Sequence, residues 1–485
     1  MSMPRMLESA NALPEVVIGY VSVRSQGGRS FLDAEDLSDP EPFYGSAADD
    51  SEAAQAIERA GLAVVAESRL GKAVAGPPAA FEELTGGTLI AVERLMHTRV
   101  GRVEYVTHLD IVGDGQPEAL GVGTAGPASV EGVVLERPRA PMAIFPAPIP
   151  PSVARFHLRV PDDVATILGA ADAHRRGQRG VGVTVAMVDS GWFRHPFFTA
   201  HGYTVEPPVT VVPGTNPASD PHGHGTGESA NVFAIAPDAV LRPFRAANDN
   251  GDLVGALAGF VRAKAGAPDV LTNSWGGDYP DPAPAQPDPA DRPLVLEILD
   301  AIQQGIVVVF SAANGQFSVE AQVPGVIAAG GVFASAGLEL QASDYSSGYH
   351  SQWFGGVDVP TVSGLVGMRP RASYIMMPIP PGCPIDVQRA AAGGGDPADG
   401  TSPSDGWALF SGTSAAAPQI AGAAAVLRGI RNNASPAQVA QALANTAIDV
   451  RAGRCHPRFN NPATSGRDLA TGFGLIDVSA AAAAI

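Results

Sequence analysis

Cysteine is nearly absent from this chain, with only Cys383 and Cys455 among 485 residues. No disulfide framework can therefore hold the fold, which must rest on a core. Lysine is as rare, Lys72 and Lys264 being the only two. Lys and Arg together number 31 against 49 Asp and Glu, a formal net charge of −18, which argues against nucleic acid or an anionic membrane as partner. The acidic surface would mildly favour basic peptides as substrates, and simple solvation explains it equally well. No apolar run approaches the roughly 20 residues of a membrane span. Residues 1–15 hold no apolar core, and 16–23 form too short a run behind an acid. No export signal is apparent, and a cytoplasmic protein with free thiols is expected. Metal-ligand clusters, phosphate loops and dinucleotide fingerprints are also missing, so neither metal nor cofactor is expected. The run Asn-Asp-Asn-Gly-Asp at 248–252 resembles part of a calcium loop without its distal acid, and reads as a turn.

What the chain does have is size and apolar content, at 45% hydrophobic residues, enough for a full catalytic domain and a smaller one. Residues 1–125 are expected to form a small α+β domain. Strands are read at 16–23, 62–67, 89–92 and 103–107, with helices at 51–60 and 78–84, in a β-α-β-β-α-β, ferredoxin-like arrangement. Residues 126–152 read as a linker, whose prolines at 137–151 favour an extended tether. Residues 153–485 are expected to be one α/β domain with an insertion at about 367–407. Long loops of that kind are functional or disordered.

Three phrases carry chemistry. Val-Thr-Val-Ala-Met-Val-Asp-Ser-Gly at 183–191 reads as a buried strand that delivers Asp189 at its carboxyl end, where open α/β sheets place their sites. Pro-His-Gly-His-Gly-Thr at 221–226 sets His224 between two glycines at a helix start. Phe-Ser-Gly-Thr-Ser-Ala-Ala-Ala-Pro-Gln at 410–419 opens a small-residue helix with Ser414 in its first turn, where Pro418 is tolerated. Taken singly, these residues read as a turn Asp, a structural His and an N-cap Ser. Together they supply a nucleophile, a base and a carboxylate that fixes the base's tautomer. A fourth phrase, Val-Val-Val-Phe-Ser-Ala-Ala-Asn-Gly at 307–315, ends a strand in Asn314.

In this order and these settings the phrases resemble the subtilisin-like serine proteases, or subtilases. The resemblance runs from about residue 155 to 485 and implies a subtilisin-like open parallel sheet flanked by helices. It implies peptide-bond hydrolysis by an Asp189–His224–Ser414 triad through an acyl-enzyme, with Asn314 and the Ser414 amide holding the oxyanion. Val-Leu-Thr-Asn-Ser-Trp-Gly-Gly at 270–277 is similar to the strand whose Ser274-Trp275-Gly276 backbone pairs with an extended polypeptide substrate. Gly251 and Leu253 fall at the opposite wall, and Ala312 and Ala313 near the primary specificity pocket. The first domain looks like a subtilase pro-domain, hence an intramolecular inhibitor.

Several positions depart from the family pattern. Gly227-Glu228-Ser229-Ala230 replaces His-Val-Ala-Gly, from which a short helix after His224 is expected. Ala313 stands in place of a glycine, Ala415 and Gln419 in place of Met and His, and the pocket-wall segment 315–324 is brief. A non-hydrolytic peptide-binding module and an acyl-transferring subtilase remain open alternatives.

Overall fold

The computed structural model describes residues 13–32, 34–99, 102–113, 120–124, 126–141, 156–280, 283–369, 372–391, 398–401, 403 and 405–485, with a two-residue strand at Arg5–Met6. The larger part is built on a nine-stranded sheet among the described residues. Its centre is parallel, in the order Val240–Arg245, Thr184–Asp189, Val270–Asn273, Val307–Ser311 and Ile327–Ala334. These strands are continuous β-branched and aliphatic runs because helices cover both faces. On one face lie the helices His224–Ile235 and Thr413–Ile430; on the other lie Ala256–Ala265 and Arg292–Gln303. This is the expected open α/β sheet. Asp189, Asn273 and Ser311 all end their strands at the same edge, so the site lies beyond it.

The amino-terminal part is a second sheet, with strand order Ala63–Glu67, Gly71–Gly76, Val17–Val23, Val130–Leu135, Val122–Gly123. Its first four strands, with helices Ala47–Arg59 and Pro78–Thr85, give the split βαβ order. Two corrections to the strand reading follow. Gly71–Gly76 is a central strand, although Gly-Lys-Ala-Val-Ala-Gly has poor strand propensity, because it pairs on both sides. Thr88–Arg99 and Arg102–Val112 form a hairpin of their own outside that sheet. Its last long strand, Val130–Leu135, falls where a linker was expected.

One face of this second sheet packs on helices Ala256–Ala265 and Arg292–Gln303, so Ile18, Tyr20 and Ala73 share a core with Leu257, Phe260 and Leu296. Beyond Pro141 the proline-rich connector lies outside the described residues until Phe156. The 367–407 insertion holds a strand, Ile375–Pro378, paired with Trp407–Phe410, and a short helix, Pro384–Ala390; its glycine run at 392–397 lies outside the described residues.

Candidate active site

Asp189 is fixed by its own strand end. Its Oδ1 accepts from the Ser190 backbone N–H and from His224 Nδ1, each at 2.7 Å. The glycines flanking His224 have separate reasons. Gly223 has φ +93°, a left-handed value that suits glycine, and a Cβ on Gly225 would strike the Gly191 carbonyl. Asp220, not singled out in the sequence, holds this turn. Its carboxylate accepts from Ser190 Oγ at 2.8 Å, from the Gly223 and Thr226 N–H groups at 2.8 Å, and from Thr226 Oγ1 at 2.7 Å. An acid three residues ahead of a helix N-cap is the signal that would have found it.

The helix after His224 is not short. It runs twelve residues, His224–Ile235, and Gly422 lets the serine helix approach its end at Val232 and Ile235 closely. Glu228 and Gln419, two of the departures from the family pattern, fall into one buried network. Asn231 Nδ2 donates to Glu228 Oε2 at 3.0 Å, and Gln419 Nε2 donates to Asn231 Oδ1 at 3.1 Å. The other oxygen, Glu228 Oε1, lies 3.9 Å from His224 Nε2. Burial works against charge on His224, but Asp189's charge and hydrogen bond, with Glu228 behind them, outweigh it and hold the imidazole pKa up at about 9. Burial pushes Glu228 up to about 8.

Ser414 is the second residue of the helix Thr413–Ile430, where backbone N–H groups have no intrahelical partner. Its Oγ donates to the Ser274 carbonyl at 3.3 Å, and Ser274 Oγ donates back to the Ser414 carbonyl at 2.8 Å. His224 Nε2 makes no hydrogen bond among the described residues. Both Ser414 and His224 are fully buried. Asn314 Oδ1 accepts from Thr413 N at 3.0 Å and Thr413 Oγ1 at 3.1 Å, which turns the amide nitrogen end of Asn314 away from Thr413.

The other singled-out residues divide. Trp275 is buried, its indole N–H donating to the Val188 carbonyl at 2.8 Å, so Trp275 and Gly276 meet other chains through backbone. They do so here, since Trp275–Gly276 pairs antiparallel with Ala140–Pro141 of the connector. Leu253 bridges Arg139 of the same connector, while Gly251 (φ +88°) sits in the 248–252 turn behind it. Ala312 and Ala313 are fully buried, with the Ala312 N–H spent on Ala329 at 2.9 Å. Ala313 takes φ +82°, which explains why glycine is the usual residue there. The insertion packs on the histidine side. A Cβ on Gly223 would meet Cys383 Sγ, and Met377 Sδ accepts from Asn231 at 3.1 Å. Cys383 and Cys455 are buried and free.

The model of the subtilase family matches residues 180–474. Subtilisin Savinase of Lederbergia lenta is 26% identical over 295 residues, 58% of this chain and 89% of that protein. An alkaline protease of Alkalihalobacillus alcalophilus is 26% identical over 295 residues, covering 63% of its own length. Among solved structures, fervidolysin from Fervidobacterium pennivorans, a keratinolytic enzyme related to subtilisin, shares the fold with a TM-score of 0.56 and 18% identity. That match covers 99% of this chain and 62% of fervidolysin.

Proposed function

Since this chain belongs to the subtilase family of serine proteases, we propose that it is an endopeptidase acting through Asp189, His224 and Ser414, with its amino-terminal domain as intramolecular inhibitor. The observation that carries this reading is the pairing of Ala140–Pro141 with Trp275–Gly276. It places an extended polypeptide in the cleft by strand addition, next to Ser274, whose carbonyl holds the Ser414 hydroxyl.

In the proposed reaction the Ser414 hydroxyl turns from Ser274 to His224 Nε2 and attacks the substrate carbonyl. His224 takes the proton and returns it to the leaving amine. Asp189, bonded to Nδ1, keeps Nε2 as the basic nitrogen and stabilises the imidazolium. The Ser414 N–H and the Asn314 amide receive the oxyanion, and water then hydrolyses the acyl-enzyme. The proposed inhibition is supported by the connector strand, which pairs with the wall a substrate would use, and by the second sheet's packing on two helices of the larger part.

The test uses a peptide pool and a fluorophosphonate probe on the full chain and on Ser414→Ala. The substitution should lower turnover about a million-fold, the size of the effect when a subtilisin loses its nucleophile, and abolish labelling. A chain that binds peptides but is neither labelled nor cuts them would be a binding module instead. Capture of added amines in the products would indicate acyl transfer.

A further inference from the structure

The strand lying in the cleft counts substrate positions. Pro141 is opposite Trp275 and Ala140 opposite Gly276. A chain on this course has its next residue opposite Ser274, whose carbonyl is the resting place of Ser414 Oγ. The residue opposite Ser274 therefore carries the attacked carbonyl. Counting back from that bond, Arg139 holds the fourth position and Arg137 the sixth.

Arg139 is only 7% exposed. Its Nη1 lies 3.5 Å from Asp291 Oδ1 and its Nε 3.5 Å from Glu320 Oε1, while its guanidinium carbon is 5.8 Å from the Trp275 ring. Both acids are buried parts of the catalytic domain. Asp291 precedes the helix Arg292–Gln303, and Glu320 opens the short 3-10 turn Glu320–Gln322. Among the described residues, the cations paired with these two acids are Arg139 and Arg137, the latter 2.7 Å from Asp291. When the connector strand leaves, two buried carboxylates lose their counter-charges. Both acids keep neutral donors, Tyr279 Oη on Asp291 and Ser318 Oγ on Glu320, but a cation returning to the vacated place restores the missing counter-charge.

We propose that Asp291 and Glu320 form a guanidinium subsite selecting substrates with arginine four residues before the cleaved bond, Arg139 being the chain's own occupant of it. The proposal rests on the endopeptidase reading for its register. Arginine suits the site better than lysine, because a planar fork can face two carboxylates while stacking on Trp275.

The experiment uses the full chain carrying Arg137→Ala, Arg139→Ala and Ser414→Ala, titrated by fluorescence anisotropy. One labelled peptide is Arg-Pro-Arg-Ala-Pro-Met-Ala-Ile, the sequence of residues 137–144, which contains the bond after the residue that faces Ser274. The others replace its second arginine with alanine or lysine. The arginine peptide is expected to bind at least tenfold more tightly than the alanine peptide, with lysine between. Adding Glu320→Gln, or Asp291→Asn as an independent variant, should shrink that gap to within about twofold. Equal affinities, or no binding of any peptide, would overturn the subsite. Hydrolysis of the same peptides by the chain that keeps Ser414 reads the other claim separately. Selective binding without cleavage sinks the endopeptidase reading alone, and cleavage without selectivity sinks the subsite alone.

Discussion

Glu228 Oε1 stands 3.9 Å from His224 Nε2, and neither atom has a hydrogen-bond partner among the described residues. The imidazole thus lies between two buried carboxylates, Asp189 at Nδ1 and Glu228 towards Nε2. At that distance the two do not hydrogen-bond, but negative charge on Glu228 favours a proton on the imidazole, and a protonated Nε2 cannot accept the Ser414 proton.

Activity should therefore rise with pH as His224 loses its proton. Glu228 is one of the groups that hold His224 up at about 9. In Glu228→Val the acid limb of kcat/KM should move down, because one of the groups favouring imidazolium has gone while Asp189 remains. The pH profile of fluorophosphonate labelling of Ser414 reads the same limb. An unmoved limb would show that Glu228 does not touch the ring's titration.

The same pair sets a pH dependence of stability, and its sign is unusual for an acid. Glu228 titrates at about 8 when folded against 4.5 as its ordinary value. Between those pH values the folded chain keeps a proton that the unfolded chain has released, so stability falls as pH rises. His224, raised from 6.5 to about 9, acts in the same direction at the upper end. Glu228→Gln should remove the first contribution, flattening the change in unfolding free energy from urea titrations between pH 5 and pH 8 by on the order of 2–4 kcal/mol.

Ala313 and Ala312 are adjacent, equally buried alanines with opposite expected responses to glycine. Ala313 has φ +82°, while Ala312 is not among the positive-φ residues. Ala313→Gly should leave stability unchanged or raise it by up to about 1 kcal/mol, since left-handed backbone costs an alanine more than a glycine. Ala312→Gly should lose about 1 kcal/mol. Thermal melts of the two variants give the comparison, and parallel losses would count against the strain.

Asn314→Ala should lower kcat by roughly a hundred- to a thousand-fold, about 3–4 kcal/mol, with KM little changed. It should also cost stability, because the Thr413 N–H loses its acceptor at 3.0 Å at the start of the serine helix. A KM effect as large as the kcat effect would assign Asn314 to ground-state binding instead.

The groups that meet the reacting bond were legible because each needs a local backbone solution. His224 needs glycines on both sides, Ser414 a helix start and Asp189 a strand end, so type and neighbours travel together in the chain. Glu228, Asp291 and Glu320 carry no such signature. An acid in a helix or turn reads as solvated, and only packing from distant segments reveals that these three are buried. Arg139 shows the same limit, since it read as part of a tether until strand pairing placed it against Leu253. The strand Gly71–Gly76 was missed for a related reason, its pairing rather than its composition making it β.

The last prediction concerns how the first domain is held. Glu297 and Asp300, both fully buried on one catalytic-domain helix, share the catalytic-domain cation Lys264. Gln304 Nε2 of the same part donates to Asp300 at 2.7 Å, and the first domain supplies further partners. Tyr20 Oη donates to Glu297 at 2.6 Å, Tyr44 Oη donates to Asp300 at 2.6 Å, and Arg69 pairs with Asp300. Hydrogen bonds to charged groups contribute about 1.5–3 kcal/mol each, and undocking exposes all of them at once. Tyr20→Phe should therefore open the interface more often, by at least tenfold if one such bond is lost, and Ser414 should be labelled correspondingly faster. Tyr105→Phe, on the hairpin outside that sheet and 44% exposed, serves as the control and should label at the parent rate. Equal rates for the two would mean that docking of this domain does not limit access to the serine.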